Sequence, residues 1–355
     1  MPKTGGAYLE IYEKLRKQIT EGVYPYGSRM PSKRVTAEEN GVSVVTAEHA
    51  YAILVDEGYL SARERSGFFV AYRESDLQPI PEARYTQLPQ GNVTLEDETL
   101  PFPLYARTLR RILADYGEQL LVRSPGIGLK ALRDAIAEHL ARARDIHVLP
   151  GQIIIGSGAE YLYSLVVQLL GRESVYAVED PSYEVIRRTY ITQGVSVDTL
   201  PMGKDGILSS SLEQTPATVL HVTPFRSFPS GITASASKRR EYIRWAHARG
   251  GYLIEDDYDS AFSPSSKAED TLYALDPDSA VLYVSTFSRT VAPSIRAGYM
   301  VLPRALMAVY EQTLGFTSCS VPVLEQVLLT ELLRSGDFDR HINHVRRRRR
   351  QAQEK

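Results

Sequence analysis

Ile153-Ile154-Ile155-Gly156-Ser157-Gly158-Ala159 is an apolar run of strand length that breaks into a glycine turn and opens a helical stretch. Comparable apolar runs return at residues 175–178, 195–200, 219–222, 252–254 and 281–284, with helical spacing between them. That rhythm predicts a parallel, two-layered α/β domain, whose ligands gather beyond the C-terminal ends of the strands. The Gly158-Ala159 amides would then point at whatever sits before the helix, a natural phosphate seat.

Upstream, residues 8–70 read as a separate helical unit. Leu9, Ile11, Tyr12, Leu15 and Ile19 fall at helical spacing. A second helix is expected from Pro31-Ser32, with Val35 and Ala37 inward, and a third from Ser43 to Asp56, with Val45, Ala47, Ala50, Ile53 and Leu54 inward. Tyr59-Leu60 and Phe68-Phe69-Val70 flank the polar 63–67, which completes a helix-turn-helix with a wing. Residues 1–72 carry nine Lys/Arg against nine Asp/Glu, so only the grouping of the cations can favour DNA. Arg29, Lys33 and Arg34 bunch at the second helix, and Arg63 and Arg65 lie in the wing.

Five prolines between residues 79 and 103 mark a linker. The expected division is a winged helix over 1–72, a linker over 73–101 and the α/β domain over 102–355. The 355 residues suffice for two domains, and a net charge of -2 excludes a chain-wide affinity for nucleic acid or membrane. Cys319 is the single cysteine, and no cysteine or histidine spacing suggests a metal site; a reducing, cytoplasmic setting is expected. No run approaches the roughly 20 apolar residues of a membrane helix.

The segments in order carry a resemblance. Residues 27–34, Gly41-Val42-Ser43, residues 56–60 and 65–70 resemble the winged helix of the GntR family. Residues 155–159, Glu179-Asp180-Pro181-Ser182-Tyr183, residues 254–259 and Ser285-Thr286-Phe287-Ser288-Arg289-Thr290 with Arg296 resemble the class I/II aminotransferase domain, fold type I of the pyridoxal-phosphate enzymes. The combination is that of the MocR subfamily of regulators. It implies a mixed, mainly parallel sheet with helices on both faces, a homodimer, a duplex DNA operator and a small-molecule effector.

By this resemblance Arg34 holds a DNA phosphate, residues 43–48, with Ser43, Val44 and Thr46, face bases, and Gly67 lets the wing approach the minor groove. Asp256 would accept from the pyridine nitrogen, Tyr258 bond the phenolic oxygen, Tyr183 stack on the ring, and Gly158, Ala159, Thr286, Ser288 and Arg296 hold the phosphate. The imine-forming lysine of the family is here Arg289. A guanidinium protonated below a pKa of about 12 neither attacks an aldehyde nor shuttles a proton. The resemblance therefore implies a DNA-binding regulator with a degenerate domain and no catalytic residue, any pyridoxal phosphate being held non-covalently as effector or beside an amino-acid-like ligand. The alternative is a pyridoxal-phosphate enzyme acting on amino acids. Relatives also continue beyond Arg350, so the C-terminal domain is expected to be truncated, with partial loss of cover over Leu324, Val327, Leu328, Leu332 and Leu333.

Overall fold

The computed structural model describes residues 7–63, 66–72, 98–258, 260–263 and 270–353. The chain divides into two compact units, residues 1–94 with 101–115 and residues 95–100 with 116–355.

In the first unit α1 (Ala7–Thr20), α2 (Lys33–Glu39) and α3 (Val44–Asp56) precede an antiparallel wing of β1 (Leu60–Arg63) and β2 (Gly67–Val70), paired from Leu60↔Val70 to Arg63↔Gly67. Ser32 and Ser43 cap α2 and α3, accepting from the Val35 and Thr46 amides. Ile11, Leu15 and Ile19 of α1 pack on Ala50, Tyr51 and Leu54 of α3. Val35 and Val45 were expected inward and are instead exposed, Val45 at 73%. Helix phase explains this: Thr36 and Ala37 take the inner positions of α2, and Ala47, Ala50, Tyr51 and Leu54 form the inner face of α3. Residues Phe102–Tyr116 form α4, most of which groups with this unit.

The second unit is built on α5 (Lys130–Arg144), β3 (Ile153–Gly156), α6 (Ala159–Leu170), β4 (Val175–Asp180), α7 (Glu184–Thr192), β5 (Ser196–Gly203), β6 (Gly206–Ile207), α8 (Ser209–Gln214), β7 (Val219–Val222), α9 (Ala236–Arg249), β8 (Tyr252–Asp257), α10 (Leu272–Leu275), β9 (Val281–Thr286), β10 (Gly298–Val301), α11 (Arg304–Thr313), α12 (Val323–Arg334) and α13 (Asp337–Gln353). Its sheet runs β3-β10-β9-β8-β7-β4-β5-β6. The neighbours from β5 to β9 are parallel, whereas β10 is antiparallel to both β3 and β9, and β6 to β5. The sheet is thus mixed and mainly parallel, as the resemblance implies, and its antiparallel members β10 and β6 are the strands that the apolar runs of the sequence do not include.

Residues on the last helices keep their cover. Val327, Leu328, Leu332 and Leu333 are buried and Leu324 is half-buried. The reason is local: α12 packs along α5 and meets α13. Buried Gln326 joins these turns, accepting from the Leu129 amide at 2.7 Å and donating to the Val321 carbonyl at 2.8 Å and the Ser124 hydroxyl at 2.9 Å.

Candidate functional site

On the winged helix, the start of α3 presents exposed Val44 and Val45 beside the cap, where the Ser43 and Thr46 hydroxyls lie 2.8 Å apart. Arg34 is exposed. Arg29 bridges to Phe69 of the wing, and its guanidinium lies 3.6 Å from where a Gly67 side chain would begin, at a φ of +100° that also disfavours any other residue. Arg63 stacks over the Phe69 ring at 4.4 Å, and Lys33 lies 5.6 Å from the Phe68 ring while pairing with Glu48 at 2.5 Å. The structure thus gathers Arg29, Lys33, Arg63 and Gly67 around β2. Arg65 lies outside the described residues.

In the second unit, a cavity of about 350 Å³ opens where β8 and β9 end and α6 begins. Ala159, Tyr183, Asp256, Tyr258, Thr286, Ser288, Arg289 and Arg296 all line it, joined by Tyr163, Thr223 and Phe228. Helix α6 has no capping side chain at Gly158, whose φ is +90°. A Cβ there would meet the Arg296 guanidinium at 2.9 Å, so glycine is what lets that cation close on the helix N-terminus. Arg296 pairs with Glu160, 2.5 Å away, and Ser288 donates to the Ile295 carbonyl at 2.9 Å. An uncapped helix end, a converging guanidinium and a glycine cradle form a seat that fits a phosphate.

The floor is Asp256, which is buried. Tyr163 donates to its Oδ2, His221 Nε2 lies 3.5 Å from the same oxygen, and Tyr190 bonds His221 Nδ1 at 2.7 Å. Burial first, and then the Asp256 charge, push the Tyr163 phenol well above its usual range, so Tyr163 remains a donor. This Tyr190-His221-Asp256-Tyr163 chain escaped the reading of the sequence. The available signal was one histidine within the apolar run Val219-Leu220-His221-Val222.

The carboxylate cluster of β8 is resolved by strand alternation. Asp256 faces this cavity. Glu255 is buried, accepts the Leu272 and Tyr273 amides at 2.9 Å each, and is pushed up to about 7 by burial. Asp257 pairs with Arg144 at 3.0 Å and accepts from Tyr283 at 2.5 Å.

Arg289 also lines the cavity, 5.9 Å from the Tyr258 ring centroid. Its Nη2 lies 2.7 Å from Glu98, whose carboxylate also accepts from Arg349 Nε at 2.5 Å and Nη2 at 2.9 Å. Arg349 stacks on Phe262, and Arg346 donates to the Ala261 carbonyl at 2.6 Å. Within the 346–350 arginine run, Arg349 is therefore structural, and among the described residues Arg346 is held through its Nε alone.

Comparison with known proteins finds a likeness for the winged helix and one for the α/β fold. The family "Bacterial regulatory proteins, gntR family" matches residues 7–70. The chain is 29% identical over 353 residues to YdeL, an uncharacterized HTH-type transcriptional regulator of Bacillus subtilis, covering 96% of this chain and 76% of that protein. It is 26% identical to the probable rhizopine catabolism regulatory protein MocR of Rhizobium meliloti, covering 96% of this chain and 74% of that one. An archaeal alanine:glyoxylate aminotransferase superposes with a TM-score of 0.64 at 20% identity, over 70% of this chain. The chain spans 63% of that enzyme's length, and the likeness is one of fold. A GntR winged helix is thus joined to an aminotransferase-like domain, among homologues that are transcriptional regulators, consistent with the MocR subfamily.

Proposed function

We propose that the chain is a cytoplasmic transcriptional regulator whose winged helix binds duplex operator DNA and whose aminotransferase-like domain holds pyridoxal phosphate non-covalently, without transamination. The observation that carries the non-enzymatic reading is Arg289: a guanidinium tied to Glu98 stands in the cavity where an amine would have to react. Bound pyridoxal phosphate supplies an electron-poor ring and an aldehyde open to amines.

The residues divide the work of binding. The Gly158 and Ala159 amides, Thr286, Ser288 and Arg296 hold the phosphate; Tyr183 stacks on the ring and Tyr258 bonds its phenolic oxygen. Asp256 would accept a hydrogen bond from the protonated ring nitrogen, with Tyr163 and His221 holding that carboxylate in place. On DNA, Arg29, Arg34 and Arg63 contact phosphates, while the cap at Ser43 and Thr46 sets the first turn of α3 against the base edges. Val44 and Val45 offer methyl groups to thymine and no hydrogen bond to guanine, so an A·T-rich half-site is favoured. Two copies paired as a homodimer would present two winged helices to a repeated or palindromic operator.

Fluorescence anisotropy with the gene's own upstream DNA, across a salt series, tests the DNA half; salt-insensitive or absent binding would sink it. Absorbance titration with pyridoxal phosphate followed by borohydride tests the other. Saturable binding with no reducible adduct is expected, and a trapped adduct overturns the non-enzymatic reading.

A further inference from the structure

Tyr258 and Thr286 also border a second cavity, of about 250 Å³, enclosed by α5, α13 and strands β8 to β10. It takes the alternate strand side chains: Asp257, not Asp256, lines it, together with Tyr283 and Tyr299.

Its polar groups are incompletely matched. The Oδ2 of buried Asp257 serves Tyr283 and Arg144, whereas Oδ1 meets no donor among the described residues. The buried hydroxyls of Ser260 and Thr290 likewise have no partner among those residues. Asp339 occupies His139 at 3.3 Å and Arg142 at 3.5 Å. That leaves Arg346, half-buried on α13, whose Nε reaches only the Ala261 carbonyl. Burial, and then the charges of Arg144 and Arg350, lower the Arg346 pKa from its usual value against the opposing charge of Asp339. Among the described residues the cavity is therefore left with one unmatched acceptor, Asp257 Oδ1, and with guanidinium groups incompletely matched on Arg346 and on Arg144, whose Nε meets no acceptor.

We infer that this cavity binds a small free amino acid, with the carboxylate on Arg346 and the ammonium on Asp257 Oδ1. A simple anion would leave Oδ1 unmatched and a simple cation would leave Arg346 unmatched. A zwitterion satisfies both and adds no net charge to a buried site. Ser260 and Thr290 supply hydroxyls for the remaining lone pairs, and Phe287, Phe338 and Ile342 give the side chain an apolar wall. At about 250 Å³ the volume lies just below the range of drug-sized pockets and suits a ligand of amino-acid size. The inference does not depend on pyridoxal phosphate occupying the first cavity.

Isothermal titration of the full chain with L-leucine and L-phenylalanine, each against its carboxamide, tests it. At least one free amino acid is expected to bind, with its carboxamide at least roughly tenfold weaker, because a charge-assisted bond to a buried guanidinium is lost. Arg346→Gln is expected to weaken the same ligand by a similar factor while leaving the pyridoxal-phosphate absorbance change unaltered. Asn343→Trp, at an exposed position bordering the cavity on α13, should also exclude the ligand, and it keeps the test open if Arg346→Gln fails to fold. No heat with either amino acid, no discrimination against the carboxamides, binding that survives both variants, or binding abolished by pyridoxal phosphate would each overturn the inference.

Discussion

Glu98→Gln probes the group that holds Arg289. In the wild type one carboxylate receives two hydrogen bonds from Arg349 and an ion pair from Arg289, and the three side chains are only 17–23% exposed. Glutamine keeps the shape and removes the charge, leaving two guanidinium groups facing a neutral amide. Breaking one partner of a fully buried pair costs about 3–5 kcal/mol, and partial solvent access reduces this to about 3 kcal/mol here. For a unit of this size that corresponds to a fall in Tm of about 9 °C. The Arg349 hydrogen bonds, and then the Arg349 and Arg289 charges, hold the Glu98 carboxyl below its ordinary range against the opposing effect of burial. A depressed carboxylate stabilises fully above its unfolded pKa of about 4.3, and that stability is lost as pH falls through the folded value. Urea melts at neutral pH should show the whole difference between wild type and variant, and the gap should narrow progressively as pH falls below about 4. A difference under about 0.5 kcal/mol, the size of a neutral surface change, or a gap that does not narrow as pH falls from 5 to 3, would refute the assignment of this carboxylate as the anchor.

Three further outcomes are expected. Arg289→Lys should restore a borohydride-trappable adduct with pyridoxal phosphate, read by mass spectrometry as a covalent increment on residue 289; an unmodified peptide counts against the proposed pocket. Arg34→Ala should weaken DNA binding across sequences alike and lower the salt slope by about 1, whereas a loss confined to one operator would make Arg34 a base reader instead. Glu179 is buried, accepts from Ser227 at 2.6 Å and is pushed up to about 8, chiefly by burial. A raised carboxyl contributes stability that is complete below about pH 4.3 and lost as pH climbs through the folded value, so Glu179→Gln should flatten the decline of wild-type stability between pH 5 and 8, by at most a few kcal/mol. Parallel wild-type and variant curves would contradict this.

How far the sequence can be read depends on the range over which each feature is determined. Strands β4 and β7 to β9 are largely buried, so they appear as apolar runs in one dimension, and the serine caps of α2 and α3 are set within three residues. The direction of β10 has no such local signature, because it is fixed by pairing with β3 and β9, and β3 lies more than a hundred residues away in the chain. The cavity residues were legible through resemblance to a family motif; their supports were not. Tyr163 and His221 come from α6 and β7 and converge on Asp256 only in the folded chain, while Arg349 reaches Glu98 across 251 positions. The run Glu255-Asp256-Asp257 shows why both kinds of information are needed. As sequence it is a single acidic cluster that demands compensation. In the sheet, alternation sends 256 to one cavity and 255 and 257 the other way, where two backbone amides answer Glu255 and a buried arginine answers Asp257. The separation of the two cavities thus follows from the two-residue period of one strand, and a substitution that shifted the register of β8 by one residue would exchange their carboxylates.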